Sequence, residues 1–438
     1  MKNIFSFVYI LFLPLYADAQ EYKIANWLSD KASATVLSFD DWSPGHGAIV
    51  VPDLIAKNLT ATFFVNTKNA SLGGGYAAMQ NAVNHGLEIA NHAASHVDLT
   101  ILNALDLEAE VNGNKAILEA HLDNYKVLTF AYPFGKFNGA VSAKVMEKHL
   151  AARGVNAPVK TAFDSGTSWR YELNSRNNTI DNLGTVVVSS ALSAANFGDW
   201  VKEGIHDGGI LTFTFHSVYN GDVNDSWYNP IDEALLLKYL DTLKVYESRT
   251  WVTNLLAATQ YHAEKKSAQL TTVHQNENLW TLVLTDDLPD SLYFQPLTVK
   301  LKMMLGKTAK SITQNNRSLL FSKKGDSLVF NALPDGGNIS IALEDEVEIV
   351  QGPLIEKVLI FPNPTAGNFI CSINSAKDLH ATLKISDLQG KELFTIDMLN
   401  LQRGENLIPL DIAVFAKGMY LVNISGNLFS ETYRVERE

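Results

Sequence analysis

Leu37-Ser38-Phe39-Asp40-Asp41-Trp42 is a short apolar run closed by two adjacent carboxylates. Together with Thr35 and Val36 it reads as a strand, and a strand end is an unusual place to concentrate charge. Successive side chains of an extended segment point to opposite sides. Asp40 and Asp41 therefore reach one pocket only if the strand end twists. Metal-site chemistry is often built that way; the competing reading is an Asp-Asp turn that caps a following helix.

Working outward, residues 31 to about 265 alternate between strand-like and helix-like segments. Strands are predicted at 35–39, 60–66, 87–91, 127–132, 185–189 and 209–215. Helical patterns occupy the stretches around 49–56, 105–122, 141–154 and 196–206. This alternation implies parallel β/α units with right-handed crossovers, arranged as an open doubly wound sheet or a barrel. Both architectures collect chemistry at the C-terminal ends of their strands, and Asp40 and Asp41 stand at such an end.

Three further predicted strand ends carry reactive residues. Asn91-His92-Ala93-Ala94-Ser95-His96 spaces two histidines at i and i+4, which on a helical turn puts both rings on one face. One carboxylate with two histidines makes three ligands and leaves a fourth position for water or substrate, as in a catalytic zinc site. The competing reading is a pair of exposed or capping histidines. In Ala131-Tyr132-Pro133-Phe134-Gly135 the proline and glycine turn the backbone sharply after a strand and can aim an amide into the pocket. His216 ends the apolar run 208–216, either as a reactive group or as a hydrogen-bonded terminal histidine.

Taken in order, FDD, HxxxH, YPxG and a strand-terminal histidine resemble the NodB-type polysaccharide deacetylases, carbohydrate esterase family 4. The resemblance includes the ATFFV strand after the Asp pair and a helix at Trp251-Val252 that ends the domain. It implies a distorted barrel of about seven parallel strands. It also implies Asp41, His92 and His96 as ligands of one divalent metal ion, zinc foremost, Asp40 as catalytic base, His216 as catalytic acid and the Phe134 backbone N–H as an oxyanion donor. The implied activity is removal of N-acetyl groups from an extracellular polysaccharide that is chitin-like, peptidoglycan or poly-N-acetylglucosamine. An O-acetyl esterase on xylan-type glycans and a glycan-binding protein without activity remain alternatives. Trp42 and Tyr132 are candidates for stacking on sugar, with core packing as the alternative, as for Phe134 and Trp227. Thr214 stands where family members have a leucine lining the acetyl pocket, and Ala131 where many have an arginine that steadies the base. Arg153, read at the end of the helix in HLAARGV, is the expected replacement, offering Asp40 a forked donor; alternatively it satisfies the helix's last carbonyls.

The rest of the chain sets the context. Lys2 followed by IFSFVYILFLPLY and Ala17-Asp18-Ala19 reads as a signal peptide over 1–19, and no later stretch has the roughly 20 apolar residues of a membrane span. The single cysteine, Cys371, excludes an intramolecular disulfide, and the net charge of -12 disfavours nucleic acid as a partner. The expected organisation is a catalytic domain at 28–265, a small β-sandwich-like module at 267–345, a linker at 346–357 and a second all-β domain at 358–438. That last domain, with VLIFPNPTAGNF, LKISDLQGKELF and GMYLVNIS, resembles the C-terminal sorting domain of type IX secretion cargo. The resemblance implies the outer-membrane type IX machinery as a partner and a secreted or cell-surface location.

Overall fold

All eight residues of the strand Ser33–Asp40 are buried, as expected for a parallel strand covered on both faces. Its small hydroxyls are each bonded: Ser33 Oγ to Thr250 Oγ1 at 2.8 Å, and Ser38 Oγ to the Phe213 carbonyl at 3.0 Å. The computed structural model describes residues 21–155, 180–183, 185–304, 306–345, 354–426 and 429–438. The predicted signal peptide at 1–19 lies outside the described residues, as do residues 346–353 of the predicted linker.

Ser33–Asp40 is the long central strand of a curled parallel sheet. Seven strands run in the order Ile180–Leu183, Ala151–Arg153, Thr129–Ala131, Glu88–Asn91, Thr62–Val65, Ser33–Asp40 and Ile210–Phe215. The two-residue strand Val186–Val187 extends the edge, and Thr250–Thr253 pairs in parallel with the first half of Ser33–Asp40. This is the distorted parallel β/α barrel expected. Helices including Val51–Ala56, Gly75–Asn84, Ala194–Asp207 and Glu233–Tyr246 supply its crossovers and outer face. One core packs Phe39, Phe63 and Phe213 against Leu54, Met79, Phe197 and Leu240.

Two local expectations are corrected. Residues 141–154 are not one helix: the helix ends at Met146, and Ala151–Arg153 is a strand paired with Thr129–Ala131. Trp251 and Val252 lie in the strand Thr250–Thr253, and the helix that follows is Leu255–Ser267.

Residues 267–345 form two antiparallel sheets, of which the four-stranded one also takes in the N-terminal strand Tyr22–Ile24. Their core is continuous with the underside of the barrel: Trp27, Ala34, Val36 and Tyr261 join Trp280, Leu297, Phe330 and Ile341 in one cluster. Residues 1–346 accordingly make one compact unit and 347–438 a second. The second unit contains a three-stranded and a four-stranded antiparallel sheet around Cys371, Leu383, Ile385, Val422 and Ile424. Among the described residues no helix is long and apolar enough to cross a membrane.

Candidate active site

The Ser33–Asp40 strand ends in the twist that its two carboxylates require. Asp41 and Trp42 have φ of +78° and +53°, left-handed values uncommon outside glycine, and the Asp41 N–H bonds the Phe64 carbonyl at 2.9 Å. Both carboxylates consequently face one cavity of about 430 Å³, lined also by His92, His96, Tyr132, Phe134, Val155, Val187, His216 and Tyr228. Further left-handed residues ring it: Ala93 at +59°, His96 at +56° and Phe134 at +58°. Backbone strain of this kind collects where surrounding structure enforces a functional geometry.

Asp41, His92 and His96 place one donor atom each within 4.8 Å of one another. Asp41 Oδ1 is 3.7 Å from His92 Nε2 and 3.6 Å from His96 Nε2. Ligands about 2.1 Å from a tetrahedral ion stand ~3.4 Å apart, so the two Asp41–histidine spacings fit a divalent metal. His92 Nδ1 lies 2.8 Å from the Ala131 carbonyl; a carbonyl only accepts, so Nδ1 carries the proton and Nε2 presents its lone pair. Burial lowers the His92 pKa against the pull of Asp40 and Asp41, which favours that neutral ring. Asn66 Nδ2 donates to Asp41 Oδ1 at 3.1 Å and Asn69 Nδ2 to the Asp41 carbonyl at 2.9 Å, fixing the carboxylate.

Asp40 occupies the other side of this cluster. Its Oδ1 accepts from Arg153 Nη2, while its Oδ2 lies 3.8 Å from His92 Nε2 and 3.9 Å from His216 Nε2. Arg153 is itself buried and stacks over the Phe64 ring, with its guanidinium carbon 4.8 Å from the centroid. Burial raises the Asp40 carboxyl, but Arg153, then His92 and His216, outweigh it and hold the group at about 2. Burial likewise lowers His216, opposed by Asp40 and Asp41. The His216 backbone is held as well: its carbonyl accepts from His46 Nε2, a tautomer fixed by the Ser43 N–H donating to His46 Nδ1 at 3.2 Å.

The structure thus brings Asp40, Asp41, His92, His96, Tyr132, Phe134, Arg153 and His216 together. It separates two residues expected to meet substrate. Trp42 is 0% exposed, its indole N–H bonds the Leu72 carbonyl at 2.9 Å and its ring packs on Phe63, so no face is offered to a sugar. Thr214 is also enclosed, its hydroxyl paired with Ser38 at 2.9 Å and Thr185 at 2.8 Å. The cavity's exposed aromatics are Phe134 and Tyr228, each 56% exposed; Phe134 packs edge-on to His96 and Tyr228 to His216. Tyr228, Val155, Val187, Asn66, Asn69 and His46 have no role in the sequence reading. A polar residue closing the TATFFVN strand and an aromatic pair inside the polar loop DSWYN are the signals that point to Asn66 and Tyr228.

Residues 29–151 match the family model described as polysaccharide deacetylase, and residues 359–435 match that of the secretion system C-terminal sorting domain. A gellan lyase from a Bacillus species is 24% identical over 363 residues, 77% of this chain; the chain spans 14% of that protein's length. Similar solved structures include the family 4 domain of a multidomain xylanase from the hindgut metagenome of Trinervitermes trinervoides, at 13% identity, covering 51% of this chain and 88% of that one with a TM-score of 0.35. They include a peptidoglycan deacetylase from Bacillus subtilis at 14% identity, covering 54% and 94% with a TM-score of 0.35. A family 4 pseudoenzyme from Bacillus anthracis is 16% identical, covering 52% and 65% with a TM-score of 0.35. Residues 29–151 thus carry a polysaccharide deacetylase domain, the mark of a hydrolase, and residues 359–435 a secretion system C-terminal sorting domain.

Proposed function

We propose that the cavity hydrolyses N-acetyl groups on an extracellular polysaccharide, with one divalent ion, zinc foremost, held by Asp41, His92 and His96. The observation that carries this reading is the position of Asp40 Oδ2, 3.8 Å from the ligand His92 and 3.9 Å from His216 Nε2. An amide is a poor electrophile and an amine a poor leaving group, so hydrolysis needs both a base and an acid at the reacting carbon. An ion held by Asp41, His92 and His96 would supply Lewis acidity to the hydrolysis. Asp40, kept anionic by Arg153, takes the proton of that water at Oδ2. The Phe134 N–H is the donor to the developing oxyanion, a contribution of roughly 3–4 kcal/mol where such donors are removed in other hydrolases. His216 Nε2 gives a proton to the departing nitrogen as the carbon–nitrogen bond breaks, leaving acetate and a free amine. Arg153 orients the base, and the exposed rings of Phe134 and Tyr228 form the wall on which the sugar rests, with Tyr132 buried behind them.

Ester hydrolysis on an O-acetylated glycan uses the same groups. Acetate release from chitooligosaccharides, peptidoglycan, poly-N-acetylglucosamine and acetylxylan separates the readings. Faster release from an N-acetylated substrate supports the proposal. Release from acetylxylan alone supports the esterase, and no release from any supports a glycan-binding role. The sorting domain supports export by the type IX route after cleavage behind Ala19, with the enzyme released or held at the cell surface.

A further inference from the structure

The strongest feature outside the cavity is the helix behind it. Ala104–Glu108 and Asn114–His121 are joined by a π turn, Ala109–Gly113. Such a turn releases a carbonyl from the regular helical ladder and often marks a functional site. Here the Val111 carbonyl, which also accepts the Asn114 N–H, takes a bond from Asn91 Nδ2 at 2.8 Å, and the Glu110 carboxylate takes the Ser95 N–H at 2.9 Å and the Ser95 hydroxyl at 2.5 Å. Asn114 Nδ2 donates to Asn91 Oδ1 at 2.7 Å and to the Val65 carbonyl at 2.9 Å, while its Oδ1 accepts the Thr67 N–H at 2.9 Å. Asn91 is saturated in turn: its Oδ1 also takes the Ala93 N–H at 3.0 Å, and its Nδ2 also reaches His149 Nε2 at 3.1 Å.

These bonds tie two loops to one side chain. One loop carries His92 and His96; the other, 66–69, holds Asp41 through Asn66 and Asn69. They also meet where the Lys68 N–H bonds the Ala94 carbonyl at 3.0 Å and, just before them, the His92 N–H bonds the Val65 carbonyl at 3.0 Å. Asn114 is fully buried and bonds into both. A metal site tolerates only a few tenths of an ångström of error in its donor spacing, and Ala93 and His96 are held in left-handed backbone that relaxes unless it is enforced.

We propose that Asn114 is a positioning residue that sets the separation of the Asp41 carboxylate from the His92 and His96 imidazoles, and thereby the affinity for a divalent ion. This rests on the metal-site reading above. The test is the zinc dissociation constant, measured by chelator competition on the wild-type chain, Asn114→Asp, Asn114→Ala and Leu118→Ala, with the unfolding midpoint of each metal-free protein alongside. Asn114→Asp keeps the volume and the acceptor for Thr67 but loses both donors, and its affinity is expected to fall about 10- to 100-fold. Asn114→Ala loses at least as much. Leu118→Ala, in the core of the same helix, lowers the midpoint and leaves zinc affinity unchanged. Equal affinity in Asn114→Asp and wild type, or an equal loss in Leu118→Ala, overturns the positioning role while the metal site stands. A wild-type chain that binds no zinc overturns both.

Discussion

Asp40 and Arg153 show how one ion pair shapes the site. The guanidinium takes Oδ1 and leaves Oδ2 toward the histidines. Asp40→Asn keeps the metal ligands intact, so metal content should be unchanged while turnover falls about 10²- to 10⁴-fold; a near-normal rate removes Asp40 from the role of base. Arg153→Ala exposes the opposing effects on Asp40: burial, which raises its carboxyl, is no longer outweighed by the arginine. Activity needs the ionised carboxylate, so the acid limb of the pH–rate profile should move up by about 1–3 pH units. An unmoved limb in a folded variant contradicts the pairing. The same variant should be destabilised by about 3–5 kcal/mol, the usual effect of removing one partner of a buried pair. Asp40, Asp41, His92 and His216 are legible because they stand at the ends of strand-like runs, and His96 because it lies four residues after His92. Trp42 was misread because an aromatic beside a reactive pair gives no sign of which way it points.

At the scale of elements, the long apolar strands announced themselves and the short ones did not. Ile210–Phe215 is buried at all six positions and Thr62–Val65 at all four, so their sequences are dominated by apolar and β-branched residues. Ala151–Arg153 has three residues, two of them alanines that favour helix. Pairing with Thr129–Ala131 on one side and Ile180–Leu183 on the other makes it a strand, and those contacts are tertiary. Behind it His149 donates from Nδ1 to the Val145 carbonyl and accepts at Nε2 from Asn91. Burial pushes its pKa down to about 3. The unfolded chain takes up that proton below about pH 6.5 and the folded chain does not, so stability is lost as pH falls through this window, by up to ~1.4 kcal/mol per pH unit. His149→Gln should flatten the fall in unfolding free energy between about pH 6.5 and 4 relative to wild type. Urea titrations across that range check it, and parallel slopes refute it.

For the whole molecule, the second core decides which parts separate. Residues 267–345 read from sequence as a module of their own, yet Trp280 and Phe330 share a cluster with Trp27 and Val36 beneath the barrel. Alternation reveals which strand face is buried and is silent about what covers it. A chain ending at Glu344 keeps that core and should retain its midpoint and its activity, while failing to reach the medium because the sorting domain is gone; a chain ending at Lys265 should unfold at markedly lower temperature. Thermal unfolding and immunoblots of cell and medium fractions check both. The central claim is that Asp41, His92 and His96 hold an ion on which hydrolysis depends. Its most direct test is acetate release from an N-acetylated oligosaccharide by the wild-type chain and Asp41→Ala, before and after chelation and after zinc is restored. In the wild type chelation should abolish release and zinc should return it, with none at any stage in Asp41→Ala; release that persists through chelation contradicts a metal held by Asp41, His92 and His96.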